Sequence, residues 1–262
     1  MDTTRDGREL LTDAIRTELR RDGTIKTEGI TASTLENKGL TREEARHARG
    51  YEPGDVVTFR RGYDRHGVEK GQAYRVERID QDTNRIELRA ADGKAIDWRL
   101  DKWGRGQAES FAERQREFAA GDRVQFTRND REAGRINGAT ATVAAIDSQA
   151  RTMTVREAKG REHTLQLDQA GDRHVRHGWV GTVHGSQGAT ADRSMTHLES
   201  FRANTVDAKS AYVAISRARK GAAIYTDNRE KLASAIETRS GERRAALANE
   251  RHVSASRGME LG

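Results

Sequence analysis

Two short stretches towards the C-terminal end of the chain hold residue types that could do chemistry together. The first, Gly178–Asp192, contains Thr182-Val-His184-Gly-Ser-Gln187-Gly188, a run of small polar residues. Glycine lets a backbone approach a ligand closely, and successive N–H groups in such a turn suit an anion. The second, Tyr-Val-Ala-Ile-Ser-Arg-Ala-Arg (Tyr212–Arg219), carries Arg217. A guanidinium offers paired donors and a permanent charge, which suits phosphate. Other parts of a phosphate-hydrolysing site are missing from the sequence. No Gly-x-x-x-x-Gly-Lys-[Ser/Thr] occurs, Gly93-Lys94 lacks the partner glycine and hydroxyl, and no apolar run ends in Asp-Glu to hold magnesium. The chain alone is therefore not expected to hydrolyse ATP. His174-x-x-His177 has no cysteine or carboxylate to complete a ligand set, so no metal site is expected.

The elements that must position these residues follow from patterning. Trp179 to Val183 reads as a strand entering the polar loop, and Ser194–Leu198 as a second strand. Ala208, Tyr212, Ile215 and Arg219 fall on one helical stripe, widened by Ala211 and Ala218, with Gly221 placed to end the helix. A strand at Ala222–Thr226 completes an α/β unit, with parallel strands expected. Near the N-terminus, Asp6-Gly7-Arg8-Glu9 has the form of a capping box with Asp6 as N-cap. Leu10, Leu11, Ala14, Ile15 and Leu19 follow at helical spacing, and Gly23 closes the helix. Thr41-Arg42-Glu43-Glu44 opens a second, short helix that Gly50 ends. Arg229 to Glu237 reads as a helix with Leu232, Ala233 and Ile236 on one side.

Between these flanks lies an internal repeat at an offset of 67 residues, beginning after the chain's single proline, Pro53. Gly54–Arg61 aligns with Gly121–Arg128, and without a gap Gly71 meets Gly138, Val76 meets Val143, Gly93 meets Gly160 and Leu100 meets Leu167. Val57/Phe59, Tyr74/Val76, Ile86/Leu88 and Ile96/Trp98 alternate at period two, as do their counterparts. Short alternating strands with glycine-bearing turns predict two small antiparallel barrels. Gly106–Phe118, rich in Glu, Arg and Gln, reads as a charged linker helix. In the first copy Arg60, Arg61, Arg65, Lys70, Arg75 and Arg78 crowd together, and Tyr63 and Tyr74 are candidates to stack bases. The competing assignment is a solvated face with Tyr74 in the core.

Thr-Val-His-Gly-Ser-Gln-Gly-Ala-Thr (Thr182–Thr190) resembles motif V of superfamily 1 helicases, and Tyr212–Arg219 resembles their motif VI. The wording is similar to the RecD-like helicase region of conjugative relaxases of the TraI/TrwC (MobF) type. The resemblance implies an α/β, RecA-like (P-loop-fold) helicase domain 2A without its Walker A partner domain, interrupted by two SH3-like β-barrels. The implied segments are 1–50 and 171–240 for domain 2A, 51–102 and 120–170 for the barrels, 103–119 for a linker helix and 241–262 for a basic disordered tail. Arg217 would act on the γ-phosphate as an arginine finger, Gln187 and Gly188 would couple nucleotide to DNA, and Thr182 and His184 would touch the DNA backbone. The family often has lysine where Gly185 stands. ATP and Mg²⁺ would be cofactors only of a complete parent enzyme, with an upstream polypeptide supplying motor domain 1A.

Composition is consistent with that reading. Net charge is +6 and the pI about 9.7, which favours polyanion partners. The chain has no cysteine, hence no disulfide framework, and no apolar run of transmembrane length or signal peptide, so a cytoplasmic location is the default expectation. Single-stranded DNA is the expected partner, bound in part by Arg60, Arg61 and Tyr63. The alternative function is a non-enzymatic DNA-binding or protein-docking module built on the tandem barrels, or a decayed gene fragment.

Overall fold

The computed structural model describes residues 5–181, 191–201 and 208–238. The chain divides into two units, Leu19–Gly178 and Met1–Glu18 with Trp179–Gly262. Residues 19–50, expected with the flanking α/β domain, belong instead to the central unit.

The central unit holds two antiparallel sheets. The first contains β1 (Gly29–Asn37), β2 (Val56–Phe59), β3 (Ala73–Asp80), β4 (Arg85–Arg89), β5 (Ala95–Arg99) and β6 (Ala108–Ala119), in the order β1-β6-β2-β3-β4-β5. The second contains β7 (Arg123–Phe126), β8 (Thr140–Asp147), β9 (Thr152–Glu157), β10 (Glu162–Gln166) and β11 (Val175–His177), in the order β10-β9-β8-β7-β11. Both are open sheets rather than the closed barrels expected. Each ends in a short strand, β5 or β10, paired along one edge only among the described residues.

The repeat governs the backbone closely. Strands β2, β3 and β5 begin and end 67 positions before β7, β8 and β10. The register slips at Val76/Arg78 in one copy and at Val143/Ala145 in the other. Asn84 and Arg151, again equivalent, both adopt positive φ. The correspondence runs past the recognisable sequence similarity, since Ala108 pairs with Phe59 as Val175 pairs with Phe126. Each copy keeps its own core. Val57, Phe59, Tyr74, Val76, Ile86, Leu88, Ile96 and Trp98 fill the first, and Phe118, Val124, Phe126, Val143, Met153, Val155 and Leu165 the second. Tyr74 is therefore a core residue, its hydroxyl donating to Gln72 Oε1 at 2.6 Å and accepting from the Glu69 N–H at 2.8 Å.

The expected linker helix is a strand. Ala108–Ala119 is rich in helix formers, but intrinsic propensity is a weak prior against tertiary pairing. β2 pairs with Ala108–Phe111, and β1 pairs with all of Phe111–Ala119. The charges that suggested a solvated helix find partners across the sheet. Arg116 meets Glu36 at 3.2 Å, and Glu113 accepts from Ser33 Oγ at 2.6 Å and pairs with Arg75 at 2.7 Å. Burial works to raise the Glu113 pKa, but the hydrogen bonds from Ser33 and Arg75 and the charges of Arg173 and Arg75 outweigh it and hold the carboxyl below its usual range. The Thr41–Glu44 capping box forms as expected. The Thr41 N–H donates to Glu44 Oε2 at 2.8 Å and the Glu44 N–H to Thr41 Oγ1 at 3.2 Å, at the start of a single 3₁₀ turn.

In the other unit, α1 (Arg5–Arg21) begins one residue before Asp6, which lies in the first turn rather than at the cap. Gly23, at φ 79°, ends the helix. Its buried stripe is polar, comprising Arg8, Thr12 and Arg16 at four-residue spacing, whereas Leu10 of the expected apolar stripe is 71% exposed. β12 (Ala191–His197) pairs parallel to β13 (Ala218–Tyr225), as the α/β reading required, and α2 (Ala208–Ser216) precedes β13. Trp179–Gly181 is irregular instead of a strand, and Gly221 lies inside β13 instead of ending α2. α2 turns Ala211 towards Leu198, Leu232 and Ile236, the last two on the helix at 229–238, while Tyr212 and Ile215 face outwards. No helix among the described residues is long and apolar enough to cross a membrane.

Equivalent glycines give a test of this packing. Gly54 and Gly121 share φ near 93°. A Cβ on Gly54 would meet nothing, whereas one on Gly121 would strike the Thr24 carbonyl oxygen. Gly54→Ala should cost about 1–2 kcal/mol of backbone strain. Gly121→Ala should cost clearly more, read as a lower midpoint in urea unfolding. Equal effects would contradict the Thr24 packing.

Candidate nucleic-acid interface

The hairpin between β2 and β3 is where the copies differ most. In the first copy a 3₁₀ turn, Asp64–His66, sits between Tyr63 and Val68, which bridge each other. Trp103 packs beside it. Its ring stacks on Phe59 at 5.5 Å between centroids, is tilted against Tyr63 at 5.2 Å, and lies parallel to His66 at 4.3 Å with 4° between planes. Arg61 lies over the Tyr63 ring at 4.8 Å and donates from Nε to the Tyr63 hydroxyl at 3.0 Å. Trp103 is fixed from below, because its carbonyl accepts from Nε1 of the buried Trp98 at 3.1 Å. The result is a half-buried aromatic platform edged by the exposed Arg61, Arg65 and His66. Such a surface suits stacking of unpaired bases, with guanidinium groups beside it for the backbone.

The structure thus groups Arg60, Arg61 and Tyr63 as the sequence suggested, but their roles differ. Arg60 is held by Glu109 at 2.7 Å. Arg75 and Arg78 are likewise paired, with Glu113 and Glu87. Trp103 and His66 were missed by sequence reasoning. The repeat held the signal, since their counterparts are Ala170 and Ala133 and Tyr63 faces Asp130. Copy-specific aromatics also fill the core, where Tyr74 and Trp98 stand opposite Ala141 and Leu165, and partial exposure is what sets Tyr63, His66 and Trp103 apart.

The second copy fills the same hairpin with charge. Arg135, 8% exposed, lies between Asp130 and Asp172, each at 2.6 Å. Those hydrogen bonds outweigh burial and raise its pKa further. Arg128 reaches His174 Nε2 at 3.2 Å and Glu109 at 3.4 Å. His174 is 6% exposed and packs edge-on against Phe111. Burial first, then the charges of Arg128, Arg135 and Arg173, push its pKa down to about 3. No group of residues suited to a metal ion occurs among the described residues. His177 contacts the Glu117 carbonyl and the Phe118 ring.

Of the motif residues, Thr182, His184, Gln187 and Gly188 lie outside the described residues. Arg217 sits between α2 and β13. Its carbonyl accepts from the Ala191 N–H at 2.9 Å, joining the start of β12 to the arginine-bearing turn. Its Nε is buried without a hydrogen-bond partner, and the side chain makes no ion pair among the described residues. Among the described residues, the guanidinium is therefore not committed to a structural salt bridge.

Comparison with known proteins bears on the platform directly. The family described as DNA relaxase TraI 2B/2B-like domain matches residues 34–117, which span the first copy with the end of β1 and most of β6. The multifunctional conjugation protein TraI of Escherichia coli (strain K12) is 35% identical over 118 residues, covering 44% of this chain and 7% of that protein. The conjugal transfer protein TraA of Rhizobium radiobacter is 30% identical over 126 residues, 48% of this chain and 11% of that protein. The chain thus spans only a small part of these relatives. Among solved structures, Bacteroides Pif1 bound to ssDNA matches with a TM-score of 0.36 and 24% identity over 52% of this chain and 36% of that one. Pif1 helicase from Candida albicans matches with a TM-score of 0.27 and 14% identity over 91% of this chain and 48% of that one. Those likenesses are too loose to carry an argument. Residues 34–117 thus match the TraI 2B/2B-like domain family, and the chain is related in sequence to TraI and TraA over less than half of its length.

The buried histidine predicts a pH dependence. The folded-state pKa of His174 lies below its ordinary value of 6.5, so the unfolded chain binds the extra proton first as pH falls. Stability is fully present above pH 6.5 and declines towards pH 3, by roughly 2 kcal/mol between pH 6.5 and pH 5. Urea unfolding across that range should show this slope in the wild type and a flatter one in His174→Gln. An unchanged slope would contradict the buried, neutral histidine.

Proposed function

We propose that this chain is part of the helicase region of a conjugative relaxase-helicase and holds single-stranded DNA without sequence preference. In a complete parent it would contribute to ATP-dependent translocation during plasmid transfer. The observation that carries the reading is the aromatic platform of Tyr63, His66 and Trp103 with Arg61, inside the segment that matches the TraI family. The partial exposure of these aromatics, unlike that of the copy-specific core residues Tyr74 and Trp98, supports a ligand-directed role. Arg217 fits the γ-phosphate contact that the motif resemblance implies, because its guanidinium is uncommitted. ATP and Mg²⁺ would be held mainly by residues this chain does not carry, since it has no phosphate-loop motif.

A specific observation also favours docking to a protein partner. Tyr212, Ile215, Ile224 and Tyr225 are exposed on α2 and β13, and parallel strands normally have both faces covered. The partner that fits is a polypeptide carrying the phosphate loop, motor domain 1A. Purified alone, the chain should show no DNA-stimulated ATPase activity. With such a partner, turnover should appear and fall by ~10³ or more in Arg217→Ala. Turnover by the chain alone would sink this division of labour.

DNA binding is tested by fluorescence anisotropy with a labelled oligothymidine over a salt series. Stacking on an aromatic side chain is worth ~1–3 kcal/mol per base, so Trp103→Ala should weaken binding by about tenfold or more. Tyr63→Ala should act in the same direction, with circular dichroism melts checking that both variants fold. Binding that is absent at low salt, or unaffected by both substitutions, would overturn the reading.

A further inference from the structure

A cleft of about 650 Å³ separates the two copies of the repeat. One wall is the turn Lys70–Gly71 of the first copy, and the other is the charged hairpin of the second copy with Arg128, Arg131, Arg135 and His174. Four side chains of this lining carry positive charge at neutral pH, against the two carboxylates of Asp130 and the exposed Glu132. Arg135 is neutralised by Asp130 and Asp172, and Arg128 is shared between Glu109 and His174. Lys70 and Arg131 are exposed and make no ion pair among the described residues. His174 adds a built polar group. Its Nε2 faces the Arg128 guanidinium, which can only donate, so the ring proton resides on Nδ1. That Nδ1 is buried and has no hydrogen-bond partner.

The hairpin between β2 and β3 carries both Lys70 of the cleft and Tyr63 and His66 of the platform. Glu109 pairs through one oxygen with Arg60 beside the platform and through the other with Arg128 in the cleft. Corresponding hairpins of the two copies therefore present complementary chemistry, aromatic faces in the first and donors in the second. Bases and phosphates alternate along a single strand in the same way.

We infer that the cleft between the copies is a phosphate site for the backbone of the single strand whose bases stack on the platform, with Lys70 and Arg131 as its free cations and His174 and Arg128 as its floor. This rests on the DNA-binding reading above. It makes the second copy part of the binding surface, although its hairpin has lost every aromatic of the first.

The test uses the full chain with isotope-labelled histidine, assigning the His174 ring by its loss in His174→Gln. Oligothymidine should shift the His174 ring resonances and raise its titration midpoint from about 3, because a phosphate offsets the three neighbouring guanidinium charges. Lys70→Glu with Arg131→Glu should lower the salt slope of oligonucleotide binding by about 1.4, at roughly 0.7 per phosphate contact, while quenching of tryptophan fluorescence persists. If the oligonucleotide quenches tryptophan but leaves His174 and the salt slope unmoved, the cleft is off the strand and the DNA-binding reading survives. If no oligonucleotide binds, both fail. Inorganic phosphate provides the second arm. A response of His174 to free phosphate equal to that with the oligonucleotide, at the same phosphate concentration, would make the cleft a free-anion pocket and overturn the assignment to a strand.

Discussion

One strand sets the geometry of the central unit. β6 is hydrogen-bonded to β2 at its first residues and to β1 from Phe111 onwards. Phe111 closes one packing cluster with Leu35 and Val56, and Phe118, at the other end, is buried in the core of the second copy. A strand shared in this way cannot shift register without exposing one of these rings, because a one-residue slip reverses every side chain. β6 pairs only within the first sheet, so it is the packing of Phe118 in the second core that ties the two copies together. Ion pairs of Arg20 with Glu117 and of Arg116 with Glu36 brace the same ladder from its two faces. That rigidity brings Arg60 and Arg128 onto opposite oxygens of Glu109.

Duplication has kept the backbone and released the side chains. Glycines at positive φ, the slipped register in the second strand of each copy and the buried alternating positions recur because the curvature of a small sheet depends on them. The hairpin between the first two strands of a copy carries no such obligation. One copy uses it to set Tyr63 and His66 against the half-buried Trp103, and the other uses it to bury an arginine between two carboxylates. A buried ion pair of this kind is a weak source of net stability, so its presence is better explained by the shape and charge it gives the cleft.

The fold was legible in the sequence where period and turn chemistry agreed. The alternation of Ile86/Leu88 and Ile96/Trp98, the glycines of the repeat and the parallel strands of the α/β unit were all readable. β6 was not, because its Glu, Arg and Gln residues are satisfied by cross-strand partners up to 80 positions away in sequence, which no local pattern reveals. β1 was overlooked for the same reason. On α1, apolar spacing suggested a buried face that the structure gives to Arg8, Thr12 and Arg16, since the partners of a helix and not its periodicity decide which face is covered. For the candidate site, Arg60, Arg61 and Tyr63 marked the right hairpin. Trp103 escaped because it comes from a loop after β5, distant in sequence, and only the comparison of Trp103 with Ala170 exposes it.

The central claim is that bases stack on the first copy and not on the second. Photo-crosslinking of the full chain to an oligonucleotide bearing iodouracil, with adducts mapped by mass spectrometry, tests it most directly. The account predicts adducts at Tyr63, His66 or Trp103 and none at Phe126, the buried aromatic of the second copy. Adducts confined to residues 239–262, or to Trp179, would contradict it.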